Sequence, residues 1–451
     1  MSATRRMNVA LIHCHDLGRF AHCYGATTVR TPSLDALAAD GIRFDNAFCS
    51  APQCSPSRAA LFTGRYPHNT GVLGLTHANY GWDLSPDVQH VAGLLADEGY
   101  WTELIGVHHE SRRRPDDEVA AQLGFTKVQT GGRADDVARR AVEALSARAG
   151  DPDRPFYLQI GFTEPHRLGP ATDEGTRHGF LGGHIRPDDT LGITIPGYLR
   201  DDDSTRREIA ELQGAVRHVD AAVGRVLTAI DELRLADDTL VVFTTDHGLA
   251  LPRAKCTLYD PGIETALILR APRLGWSGGR ISTELVSNVD IVPTVLDAVG
   301  APIPAQVQGR SLVRRLAGDP REGRDHLFGE LTFHNYYDPR RCVRTATHKL
   351  IVKFDSTPAF MGTVAQSWRP WATPVVSAAG PANDHAPVEV YDLRDDPLEL
   401  TNLAEEPRHR GLVDELRLIL LGWMQETNDP LLAGPPPSPA YRHARRFLLD
   451  Q

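Results

Sequence analysis

Long apolar runs are missing from this chain. No stretch reaches the roughly 18 consecutive apolar residues of a membrane-spanning helix. The apolar run nearest the start, residues 9–12, is cut off at once by His13, Cys14, His15 and Asp16. It is too short for a secretory core and no small-residue cleavage site follows, so the expectation is a cytoplasmic protein with no membrane partner. Cysteine is sparse: six in 451 residues, at 14, 23, 49, 54, 256 and 342, without metal-finger spacing. Reduced thiols are expected, not a disulfide framework. Lysine is scarcer still, at 127, 255, 349 and 353 only, while arginine supplies the remaining 44 of 48 basic side chains. Each lysine therefore merits a question, and the arginine-rich usage is that of a GC-rich bacterial genome. Basic clusters are lacking too. Arginines 112–114 and 206–207 are short runs read as solvated faces, and a net charge of −10 leaves no footprint for nucleic acid.

What is present is the composition of a globular protein, 41% hydrophobic and 24% charged, which excludes disorder. The first two-thirds alternates β-branched runs (8–12, 156–162, 239–244) with helical patterns (31–40, 207–233). Near-continuous apolar strands between helices imply an α/β fold, a mostly parallel sheet covered on both faces. In such sheets, sites form just beyond the carboxyl ends of the strands. The texture changes near 325–330, where short strands (348–354, 388–393), Pro- and Gly-rich segments and a helix (411–426) follow. The reading is a catalytic domain over 1–328 and a smaller α+β domain over 329–451. The latter carries a small antiparallel sheet, a helix and a proline-rich extended run at 435–439.

The strongest local pattern is Cys54-Ser55-Pro56-Ser57-Arg58, continued through Thr63-Gly64-Arg65. Alone, the first five residues are as readily a buried cysteine ahead of a helix opened by Pro56. The extended string resembles the sulfatase signature, the recognition sequence for conversion of cysteine to formylglycine. The resemblance spreads over nearly the whole chain: Asp16-Leu17-Gly18, Cys23-Tyr24-Gly25, Asp246-His247-Gly248, Asp290-Ile291-Val292-Pro293-Thr294, Gly309-Arg310-Ser311-Leu312 and Tyr391-Asp392-Leu393. Within the family, Glu164-Pro165-His166-Arg167, Leu258-Tyr259 and Asp429-Pro430 are most similar to the N-sulfoglucosamine sulfohydrolases. The implied fold is that of the alkaline phosphatase superfamily.

The resemblance implies a formylglycine at position 54, made by a formylglycine-generating enzyme. An aldehyde hydrate carries two hydroxyls on one carbon. One attacks sulfur, and deprotonating the other expels sulfate by breaking the carbon–oxygen bond, so one hard step becomes two easier ones. The implied ligands of one divalent metal, beside residue 54 itself, are His15, Asp16, Asp246 and His247. Calcium is the family default, but sulfatases usually carry aspartate at position 15. Two imidazoles make manganese or zinc the alternatives. His109 corresponds to the histidine that helps deprotonate the second hydroxyl, His166 to one that binds sulfate and protonates the leaving group, and Lys255 to a cation near the leaving oxygen. Arg58 would orient the modified residue. Val107 departs from the family, which usually has lysine there; His108 is the candidate to compensate. Weaker substrate-facing candidates are Glu164, Arg167, Arg253, His334 and Tyr336, the last two in a His- and aromatic-rich stretch, 331–341, that an ordinary domain seam would explain about as well.

The expected activity is hydrolysis of a sulfate ester or sulfamate of a small substrate, a sugar before an aryl alcohol. Two alternatives stay open: a phosphodiester or phosphonate monoester hydrolase on the same scaffold, and a binding homologue without catalysis. A homo-oligomer is also left open.

Overall fold

Residues 8–14 bury every side chain, which a strand can do only when both its faces are covered. The computed structural model describes residues 6–77, 81–167, 180, 185–319, 323–334, 336–355, 372–375 and 386–449. Its large sheet is built from β1 (Asn8–Cys14), β2 (Ile42–Phe48), β3 (Trp101–Gly106), β4 (Lys127–Thr130), β5 (Phe156–Phe162), β6 (Thr239–Thr245), β7 (Leu267–Arg270) and β8 (Arg280–Ser287). The order is β4-β3-β5-β1-β6-β7-β2-β8, and only β7 runs against its neighbours. The period-two alternation of β1 divides the core. Ala10, Ile12 and Cys14 pack toward the helices Ala134–Ala149 and Asp203–Glu232. Val9 and Leu11 pack toward Cys54–Thr63 and Ile291–Val299. The long helix starts four residues ahead of the periodic pattern because Asp202 caps it, accepting from Thr205 N at 2.8 Å.

Parallel pairing brings the strand ends level. Cys14 is in register with Phe162 on one side and Thr245 on the other, and Gly106 with Gly161. The segments starting at 15, 107, 163 and 246 therefore leave the sheet along one edge. Gly161 is a steric necessity there: a β-carbon on it would lie 2.4 Å from Val107 O and 2.5 Å from His13 Cε1.

The smaller sheet is an antiparallel run of β9 (His326–Phe333), β10 (Tyr337–Thr345), β11 (His348–Lys353) and β12 (Val388–Asp392). The helix Arg410–Glu426 covers it with Leu416, Leu420, Trp423 and Met424. Its first strand begins at His326, so β9 straddles the expected division at 328. The proline-rich run does not stay extended to its end. Ser438 caps Tyr441 N at 3.1 Å and Pro439 opens a helix, Pro439–Leu448, proline being well suited to the first helical position. Among the described residues no helix is long and apolar enough to cross a membrane, and all six cysteines are free thiols.

Candidate active site

β1 and β6 are adjacent and parallel, so the residues just past their ends face one another. Asp16 turns out of β1 with a left-handed φ of 52°, and its N–H donates to Asp246 Oδ1 at 2.9 Å. The N–H of His247 donates to the same oxygen at 2.9 Å. Cys54 opens the helix Cys54–Thr63 beneath them, with Sγ 3.4 Å from His247 Nε2. Arg58, one turn on, donates from Nε to Asp246 Oδ2 at 3.2 Å and meets His13 Nδ1 at 2.7 Å. Lys255 Nζ donates to both Asp16 oxygens at 2.8 Å. The rings of His109 and His166 each pack edge-on against His15, with centroids 4.9 Å apart.

This setting governs the charge on sulfur. Burial alone would raise the Cys54 pKa, but Lys255 and then His109, His15 and His166 outweigh it, holding the thiol well below its ordinary range. Burial likewise opposes ionising Asp16, and Lys255 above all reverses that, so its carboxylate stays charged. For His109 burial prevails and its pKa falls to about 3. Burial and Arg58 oppose protonating His15, yet Asp246 and Asp16 lift its pKa to about 10. The two carboxylates thus draw in whatever positive charge is at hand.

The site suits a divalent ion. Ligand atoms of Asp16, Cys54, Asp246 and His247 all lie within 4.8 Å of one another, as do those of His15, Asp16, Cys54 and His166. His15 Nδ1 is 2.9 Å from Asp246 Oδ2 but out of line for a hydrogen bond, so neither nitrogen of this buried ring has a hydrogen-bond partner among the described residues. His247 Nδ1 lies 2.9 Å from Gly248 O. A carbonyl only accepts, so Nδ1 carries a proton, and Nε2, 3.2 Å from Asp16, is the nitrogen left for an ion.

A cavity of about 390 Å³ opens beside His15, lined by His108, His109, Arg113 and His166 among others. His166 is the more accessible ligand candidate, its side chain 28% exposed. His334 is half-buried near Lys255 and Cys54; desolvation first, then Lys255, takes its pKa down to about 3. Other candidates turn elsewhere. Glu164 accepts from Ala134 N at 3.2 Å, at the start of a helix. Arg167 donates to Ala250 O at 2.9 Å and pairs with Glu208. Arg253 donates to Leu398 O at 2.9 Å and stacks on Tyr259. Tyr336 O accepts from His334 N at 3.1 Å. Sequence reasoning missed His13, which braces Arg58, and His77, whose ring lies 5.1 Å from that of His109. It read Arg113 and Arg114 as a solvated face; Arg113 is exposed, and both also line the cavity.

A family model described as Sulfatase matches residues 8–301. The protein belongs to the sulfatase family. A second model, N-sulphoglucosamine sulphohydrolase, C-terminal, matches residues 249–361 of this sulfatase. Its sequence is 30% identical to human N-sulphoglucosamine sulphohydrolase over 96% of this chain and 92% of the relative. It is 27% identical to an ulvan-active sulfatase of Formosa agariphila over 91% and 78%. Its fold is similar to a structure solved in complex with its substrate D-glucosamine-2-N,6-O-disulfate (TM-score 0.71, 20% identity, 94% and 98% of the two chains). It is also similar to the phosphonate monoester hydrolase of Silicibacter pomeroyi (TM-score 0.67, 22% identity, 94% and 96%). At these identities the structural likeness speaks for the fold alone.

Proposed function

We propose that this sulfatase hydrolyses a sulfate ester or sulfamate of a carbohydrate, with Cys54 matured to formylglycine as the nucleophile. One divalent ion would be held by His15, Asp16, Asp246 and His247 beside residue 54. The observation that carries the reading is the setting of Cys54: a buried side chain at a helix start, flanked by Lys255 and four imidazoles and adjoining the Asp16–Asp246 pair. The carbohydrate assignment draws on the relatives named above. When bound, the ion would act as a Lewis acid on the sulfate oxygens, and the aldehyde hydrate would supply the attacking hydroxyl.

The chain's own groups supply the rest. Arg58 is tied to Asp246 and His13, so its guanidinium is held rigid beneath residue 54. His109, uncharged above about pH 3, is ready to accept the proton of the second hydroxyl. His166 donates from Nδ1 to Arg167 O at 2.5 Å, which orients Nε2; doubly protonated, it presents that N–H to the leaving atom. Lys255 offsets charge gathering on the same atom. Two imidazoles in the ligand set favour a manganese- or zinc-like ion over calcium.

The test is peptide mapping of residues 50–65 after co-expression with a formylglycine-generating enzyme. A mass loss at Cys54 together with turnover is the expected result; full turnover by Cys54→Ala would overturn the reading. The two imidazoles and the uncharged Val107 favour a second reading, a phosphodiester or phosphonate monoester hydrolase. Parallel assays on a sulfate monoester and a phosphate diester separate the two.

A further inference from the structure

The cavity beside Cys54 is larger than one sulfate group needs, and its lining is one-sided in charge. It spans the ends of four consecutive parallel strands, from His15 after β1, past Thr163 after β5 and Gly106 in β3, to Thr130 in β4. Three interstrand steps of about 4.8 Å make a trough roughly 14 Å long. Four imidazoles and two guanidiniums line it and, among the described residues, no carboxylate does. That is a pointed exception in a chain where acidic residues outnumber basic ones, 58 to 48.

Two of the lining groups stand outside the chemistry described above. His108 is only 6% exposed, and its Nε2 is buried without a hydrogen-bond partner among the described residues. A buried polar atom left unpaired costs stability unless a ligand or water satisfies it. Arg113 is exposed and has no partner among the described residues. Its neighbour Arg114 is already committed, to Asp83 at 2.5 Å and Gln122 at 2.6 Å. A spare guanidinium and an unpaired imidazole in one acid-free trough are a ready receptor for a carboxylate or sulfate.

We infer that His108 and Arg113 form a second anion subsite, so that the preferred substrate is a saccharide bearing another sulfate or a carboxylate besides the sulfate removed. This rests on the sulfatase reading for the removed group. The cation that Val107 leaves out of the nucleophile's end is thereby present farther along the trough, where it selects the substrate.

The matured enzyme is assayed on a hexosamine monosulfate and on the same hexosamine carrying a second sulfate or joined to a uronate. The wild type should favour the doubly anionic substrates, and added NaCl should narrow that preference. Arg113→Ala should reduce the preference about tenfold, mainly through KM. No preference in the wild type, or an equal loss on all substrates, would overturn the subsite. A second arm is independent of turnover. Thermal stabilisation of Cys54→Ala by a disulfated sugar should be lost in Cys54→Ala/Arg113→Ala, and stabilisation that survives there also overturns it. If the wild type hydrolyses no sulfate while this Arg113-dependent binding persists, the subsite stands and the sulfatase reading falls.

Discussion

Where the two sheets meet, Arg344 donates to Asp260 at 2.8–3.3 Å, and Lys349 reaches Asp260 at 2.6 Å and Glu399 at 2.8 Å. Lys349 also donates to Leu258 O at 3.0 Å. Past the ends of β1 and β6 another buried cluster gathers Asp16, Lys255, Asp246 and Arg58, but here His13 Nε2, both nitrogens of His15, and His109 Nδ1 lack hydrogen-bond partners among the described residues. Both clusters bury charge on a scale that folding alone does not reward. At the seam each charge is met by an opposite one within the chain, although Glu399 Oε1 pairs with Lys349 as an ion without a hydrogen bond in line. At the site the spare valences meet no partner among the described residues. Buried charge that is complete serves the fold, and buried polarity that is incomplete serves a ligand.

The sharpest way to break this contrast is at Cys54. Cys54→Ala should abolish turnover by about four orders of magnitude or more while leaving the thermal midpoint near that of the wild type; a comparable loss of stability would erase the distinction. Lys349→Met should do the reverse. Leaving Glu399 without its cation, and Asp260 with Arg344 alone, should cost about 3–5 kcal/mol, read by denaturant unfolding, with turnover per folded molecule retained.

His15→Ala sharpens the comparison from the other side. Elemental analysis of protein purified without added metal should find a transition ion in the wild type. The substitution removes a ligand and should weaken its binding by at least the roughly 10- to 100-fold that loss of a ligand's supporting partner costs. Stoichiometric calcium in both proteins would defeat a ligand role for His15. The smallest effect concerns Glu399, whose pKa burial pushes from 4.5 to about 7. A raised carboxyl contributes stability that is fully present below about pH 4.5 and lost as pH rises toward 7. Melting curves of Glu399→Gln should therefore gain on the wild type across that window and level off above it.

The sheet was legible because its strands are unbroken apolar runs: β5 spans Phe156–Phe162, as the pattern predicts. The residues at the strand ends were legible because parallel pairing gathers whatever follows β1 and β6. Proximity in sequence says less about where a side chain points. Glu164, Arg167 and Arg253 lie within motif segments, yet each turns to a backbone group of a neighbouring segment. The run of arginines at 112–114 has no periodicity to reveal a lining role; only the path of the loop after β3 brings Arg113 and Arg114 to the trough. His13 was hidden for another reason. Alternation sets it on the same face as Val9 and Leu11, but its partner Arg58 lies 45 positions away.

The glycine at 161 carries a consequence for how such a centre can vary. His13 pairs across the sheet with Gly161, and its ring occupies the space a methyl there would need. Adding that methyl would dislodge the ring, and with it the brace that keeps a guanidinium aimed at Asp246. The aim of a charge beneath the nucleophile is thus set, one strand away, by a hydrogen atom.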